Sequence, residues 1–195
     1  MDLKGLKVGY ALCGSFCTFN DNVSVIRSLV KAGCDVTPIM SYNAYFTDTR
    51  FGNADDYIDD IQMLTNKDIS CSLTDVEAIG PQKLLDILVI SPCTGNTIGK
   101  LASGISDTPV SMAAKAHLRN GRPLIIAIST NDGLSANAQN IGRLLNMKNI
   151  YFVPFSQDDA FGKPTSLVAN FSQIPETIEM AIQGKQIQPL LWNKM

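Results

Sequence analysis

The stretch that most constrains this chain lies between Leu85 and Ala116. An apolar run, Leu85-Asp86-Ile87-Leu88-Val89-Ile90, breaks at Ser91-Pro92-Cys93-Thr94-Gly95-Asn96-Thr97 and gives way to a helical pattern. A buried strand feeding a polar turn and then a helix is the unit of an open α/β sheet, where ligands sit beyond the carboxyl ends of the strands. The start of a helix offers unpartnered backbone N–H groups at the positive end of its dipole. This turn carries neither Lys nor Arg, so an anion there would be held by amides and hydroxyls. Read alone, Thr94 or Asn96 could equally serve as a helix cap.

The pattern recurs along the chain. Residues 6–13 form an apolar run that ends in Gly14-Ser15-Phe16-Cys17-Thr18, and a helix with Val23, Ile26, Leu29 and Val30 follows until Gly33. Residues 34–40 read as a second strand, ending at Ser41. From 42 to 52 the pattern loosens into a loop able to reach over a ligand. A helix spans about 54–64, with Asp55, Asp56, Asp59 and Asp60 as its solvated face. Residues 65–84 are expected to be irregular. Pro109 suits the first turn of another helix, capped by Asp107 or Thr108 and ending at Asn120-Gly121. A strand over 123–129 ends in Thr130-Asn131-Asp132-Gly133. A helix with Ile141, Leu144 and Leu145 leads to a last strand over 150–153. Residues 154–164 read as a loop, and a final helix covers about 174–182.

Five parallel strands alternating with helices predict a single-domain, doubly wound α/β sheet over residues 1–195 in the order 2-1-3-4-5. That order brings the ends of strands one, three and four together at Gly14-Ser15, Ser91 to Thr97 and Ser129 to Asn131. The tail, 184–195, contains Leu190-Leu191-Trp192 and is too apolar to stand free, so docking on the domain or on a partner is expected.

Composition narrows the chemistry. The 195 residues are 45% hydrophobic with a formal net charge of −2, which suits one full core and offers no basic face for nucleic acid or an anionic membrane. Five cysteines without CxxC spacing and a single histidine argue against a zinc site or a disulfide framework, and point to a reducing compartment. The absence of a secretory h-region and of an 18-residue apolar run leads to a soluble cytoplasmic expectation. Neither GxGxxG nor GxxxxGK[ST] occurs, so a mononucleotide such as a flavin fits better than a dinucleotide. His117 reads as a packing or helix-end residue. Cys13, Cys17 and Cys93 lack a histidine to activate them and read as small apolar fillers. Asp132, Asp158 and Asp159 could act on a substrate, although loop aspartates are usually solvated.

Gly14-Ser15-Phe16, Ser41, and the run Ser91 to Ala102 followed by Gly104-Ile105-Ser106-Asp107 resemble the flavoprotein family that includes flavin-dependent cysteine decarboxylases and prenyl-flavin synthases. Nearly the whole chain takes part. Within that family, 48–52, 113–116, 118–123, 129–132, 148–152 and 184–189 are similar to one component of a two-component synthase of spore formation. The resemblance implies an FMN site. Gly14, Ser15 and Phe16 match its phosphate loop, Ser41 its second-strand hydroxyl, and Pro92, Thr94, Gly95, Asn96 and Thr97 its flavin-contacting turn. Ser129, Thr130 and Asn131 lie where the decarboxylases carry Pro-Ala-Met-Asn.

The resemblance also implies oxidation of a dihydropyridine dicarboxylate in the mother-cell cytoplasm, a partner chain that holds NADP, and a homo-oligomer. Arg50 is the candidate for a substrate carboxylate, because its planar fork suits that geometry. Two departures argue against decarboxylation. The family's catalytic histidine falls near Ala78, and its clamp cysteine is missing from Tyr151 to Pro164. Two readings stay open: a redox component holding flavin or substrate, and a non-catalytic structural partner with a vestigial crevice.

Overall fold

The computed structural model describes residues 3–192. Its centre is β3 (Ile87–Cys93), every residue of which is buried. Beside it lie β1 (Lys7–Leu12) and β4 (Leu124–Thr130), and outside these β2 (Asp35–Met40) and β5 (Ile150–Phe152), all parallel to their neighbours. Continuous runs such as Leu124-Ile125-Ile126-Ala127-Ile128, fully buried, are what a strand covered on both faces requires. The expected order 2-1-3-4-5 therefore holds for these five strands.

Two further strands depart from expectation. Residues 154–164 are not a loop: β6 (Phe155–Asp159) and β7 (Lys163–Ala169) form an antiparallel hairpin. Among the described residues the sheet thus has seven strands, mostly parallel. β5 pairs with residues 124–126 of β4, and β7 pairs with Ser129 and Thr130 beyond it. One edge of β4 is divided between two partners, and the hairpin stands at the carboxyl end of the sheet.

Helices cover both faces: α1 (Phe19–Lys31), the short α2 (Tyr42–Phe46), α3 (Ala54–Thr65), α4 (Leu73–Glu77), α5 (Gly95–Ser103), α6 (Pro109–Leu118), α7 (Ala138–Leu145) and α8 (Ile174–Ile182). The supposed loop after Ser41 opens with α2, capped by the Ser41 hydroxyl, which accepts from Ala44 N at 3.2 Å. The supposedly irregular 65–84 contains α4. Thr108, not Asp107, caps α6 in a reciprocal pair with Ser111, while Asp107 binds Lys100 Nζ at 2.7 Å. The tail docks on the domain. Leu190 O accepts from Phe155 N, and Trp192 N donates to Phe155 O, adding a backbone bridge to β6. Residues 193–195 of that tail lie outside the described residues.

Among the described residues, no helix is long and apolar enough to cross a membrane.

Candidate functional site

Strand order decides where the site lies. The carboxyl ends of β1, β3 and β4 open into one crevice of about 720 Å³, within the range typical of small-molecule sites. Gly14, Ser15 and Phe16 form one wall, Thr94, Gly95 and Asn96 a second, and Ser129, Thr130 and Asn131 a third. Two walls touch directly: the hydroxyls of Ser15 and Ser129 are 2.8 Å apart. Ser41 and Thr97 line an adjoining hollow of about 320 Å³ that shares Gly14, Thr94 and Asn96 with the crevice.

Pro92 is placed differently from expectation. β3 does not break at Ser91 but runs on to Cys93 through a cis Ser91–Pro92 peptide and a shift of register against β4. The strand can continue because a neighbour uses what the proline offers: Pro92 O accepts from Cys13 N at 3.2 Å. Pro92 is consequently buried beneath the crevice floor and does not line it. Arg50 is also displaced. A tight turn, closed by Thr49 and Gly52 exchanging backbone hydrogen bonds, puts Arg50 at its exposed tip, with the guanidinium 4.9 Å from the Phe51 ring centre. Phe51, not Arg50, reaches the crevice wall.

Behind the second wall lies a closed polar brace. Asp132 accepts from Thr130 Oγ1 at 2.6 Å and from Asn137 Nδ2 at 2.7 Å, and Asn140 Nδ2 donates to Asn137 Oδ1 at 2.9 Å. This brace presses on the first residue of α5. A Cβ on Gly95 would lie 2.6 Å from Asp132 Oδ1 and from Asn137 Nδ2. Asp132 thus lines the crevice with its carboxylate held by two side-chain donors. The first intrahelical donor of α5 is Ile98 N, to Thr94 O, so the amides before it are directed outward at the helix start.

Under the floor, Tyr10 and Ser91 both donate to the fully buried Asn22 Oδ1, at 2.7 and 2.5 Å, and Asn22 Nδ2 donates to Thr18 O at 2.7 Å. Burial raises the Tyr10 phenol well above its ordinary range. The same cause pushes the Cys13 thiol up to about 11, against a weaker opposing contact with Thr97 Oγ1 at 3.2 Å. Cys93 is also driven upward by burial. Both buried thiols stay protonated at neutral pH. Cys17 differs: it is exposed on the crevice wall.

His117 is buried in α6 with Nε2 2.9 Å from Pro123 O, and desolvation lowers its pKa to about 4. It lines neither the crevice nor the adjoining hollow. Among the described residues, no cluster suited to a metal ion occurs.

Lys163 and Asp158, from the unexpected hairpin, complete the crevice, with Phe51, Leu167 and Val168 as apolar lining. The expectation of an anion site without cations is corrected here: Lys163 stands on the wall, 2.8 Å from Asp158, and Lys100 lines the adjoining hollow. Hydroxyls, an outward-facing helix start and a nearby cation suit a phosphate or carboxylate. Phe16 and Phe51 suit a flat ring. This donor set and lining fit a flavin mononucleotide.

Residues 1–182 match the family model described as Flavoprotein. The chain is 45% identical over 189 residues to the B subunit of dipicolinate synthase from Bacillus subtilis, covering 97% of this chain and 94% of that protein. The crystal structure of the corresponding dipicolinate synthase component from Bacillus halodurans superposes with a TM-score of 0.92 at 45% identity, over all of both chains. The FMN-dependent cysteine decarboxylase SpaF shares the fold, with a TM-score of 0.66 at 19% identity over 93% of this chain and 97% of that one.

Proposed function

The chain belongs to the flavoprotein family, and from that premise we propose that it serves as the B subunit of a dipicolinate synthase. In this reading it supports oxidation of a dihydrodipicolinate to pyridine-2,6-dicarboxylate during sporulation, in the mother-cell cytoplasm, with an A subunit that holds NADP. The observation that carries the reading is 45% identity, spread over 97% of the chain, to a protein of that name.

The crevice is the proposed FMN site. Gly14, Ser15 and Phe16, with Ser129, Thr130 and Asn131, would hold the phosphate side, while Thr94, Gly95, Asn96 and Thr97 would meet the ring system. Ser41 would support the adjoining hollow, and Pro92 would act from beneath the floor. When bound, a flavin supplies a two-electron acceptor. The chain's own residues exclude water with Phe16 and Phe51 and orient the ligand through the Ser15 and Ser129 hydroxyls. Arg50, on the turn that carries Phe51, is a candidate for a substrate carboxylate. Decarboxylase chemistry is disfavoured because the single histidine is buried in α6 and held neutral. Exposed Phe46, Met63 and Phe161 offer apolar contacts for a homo-oligomer or the A subunit.

A structural-partner reading is favoured by one feature: Ser15 and Ser129 already satisfy each other. Reconstitution with the A subunit separates the two. Ser15→Phe and Asn96→Trp should leave assembly intact yet reduce pyridine-2,6-dicarboxylate formation by at least about a hundredfold, the usual consequence of misplacing a ligand. Normal product formation by both variants would establish the structural role instead.

A further inference from the structure

A second cavity, about 910 Å³, lies between α1 and the start of α8 and shares Asp158 and Lys163 with the crevice. The ion pair of these two residues therefore stands where the cavities meet. We propose that Lys163 is the anion-recognition residue of the crevice, held in place by Asp158 until a carboxylate or phosphate of the bound ligand displaces it. This rests on the reading of the crevice as a ligand site.

Three observations support the exchange. First, other charges on the hairpin and on the crevice wall are committed. Asp132 is closed by Thr130 and Asn137. Asp159 accepts from the amides of Phe161 at 3.2 Å and Gly162 at 2.9 Å, which shape the hairpin turn. Lys163 and Asp158 instead hydrogen-bond only to each other among the described side chains, at 2.8 Å, although Asp159 and Cys17 also act on the Lys163 charge. Second, their side chains are 62% and 32% exposed. An ion pair that exposed contributes little, so changing partner costs little. Third, the backbone is fixed around them. Lys163 pairs across the hairpin with Asp159, and Gln157 Nε2 donates to Pro164 O at 2.8 Å. The ammonium is thus presented by a paired strand while its own bond is exchangeable. Asp158 has a matching role: it keeps the cation over the crevice mouth and repels an anion that does not engage Lys163.

The test is a set of titrations on the full chain with three probes: pyridine-2,6-dicarboxylate, FMN and riboflavin, which lacks the phosphate. Lys163→Gln should weaken an anionic probe by about tenfold or more, the loss of one charge-assisted hydrogen bond, and leave riboflavin unchanged. Asp158→Asn should tighten the same probe, and Lys163→Arg should retain most of the affinity. A purely structural role would not give opposite signs for the two members of the pair. A loss confined to the dicarboxylate identifies a carboxylate as the displacing group, and a loss confined to FMN identifies the phosphate. Wild-type affinity for both anionic probes in Lys163→Gln overturns the proposal while leaving the crevice reading intact. If wild type binds none of the three probes, the crevice reading falls and the proposal falls with it.

Discussion

The Ser15 and Ser129 hydroxyls meet at 2.8 Å and tie the loop after β1 to the end of β4, strands that β3 separates. Because either hydroxyl can donate, the pair can rotate to present a lone pair or a proton to a ligand without moving the backbone. Ser129→Ala removes one partner from a part-buried contact and should lower stability by about 1 kcal/mol, read as a small drop in melting temperature. Affinity for FMN should fall more visibly than stability.

Gly95 is small because the Asp132–Asn137 brace occupies the space a side chain would need. Its backbone φ is not positive, so Gly95→Ala should fail for reasons of space alone. With a Cβ 2.6 Å from two brace atoms, we expect about 1–3 kcal/mol of destabilisation and weakened ligand binding. Asn137→Ala in the Gly95→Ala background removes one of the three clashing atoms and frees Asp132 from one of its two donors, so the carboxylate can give way. A double-mutant cycle by chemical denaturation should show the two changes coupled.

Asn22 receives two hydroxyls in the core. Asn22→Ala removes the acceptor that the buried Tyr10 and Ser91 hydroxyls share and the amide that satisfies Thr18 O, and should cost about 2–4 kcal/mol. Tyr10→Phe removes only one donor, leaves Ser91 in place, and should cost about 1 kcal/mol. Equal costs for the two variants would show that Asn22 is not the shared acceptor.

His117 sets a pH dependence. Its folded pKa, about 4, lies below the ordinary 6.5 because burial penalises the charged ring. Between these values the unfolded chain takes up a proton that the fold refuses, so stability falls as pH drops from about 6.5 to about 4 and levels off below. The full effect of such a shift is on the order of 3 kcal/mol. Comparing urea midpoints of wild type and His117→Gln across this window should show the dependence shrinking in the variant.

Legibility in the sequence followed the physics of each element. β1, β3 and β4 are covered on both faces, so they read as unbroken apolar runs, and their order alone places three polar ends together. The β6–β7 hairpin cannot be read this way. Asp158, Asp159 and Pro164 are poor strand formers, and their strands exist because the end of β4 offers an edge. Lys163 escapes notice for the same reason: nothing local says that residue 163 returns to the crevice formed by residues 14 and 95. The short α4 leaves one signal, the Ser72 hydroxyl accepting from Asp75 N at 3.2 Å in a reciprocal cap, but five residues carry no periodicity. Pro92 looks like a turn residue because proline usually ends a central strand, whereas here Cys13 N uses its carbonyl.

The proposed redox role of the chain turns on the crevice holding a flavin. Titrating the purified full chain into FMN, while following flavin fluorescence and the visible spectrum, addresses this with Ser15→Phe as control. Wild type should bind saturably at one flavin per chain, and Ser15→Phe should lose that binding with no more than the small drop in melting temperature that loss of the Ser15–Ser129 contact brings. FMN fluorescence and spectrum unaltered by wild type, or altered equally by the Ser15→Phe variant, would contradict a flavin site in the crevice.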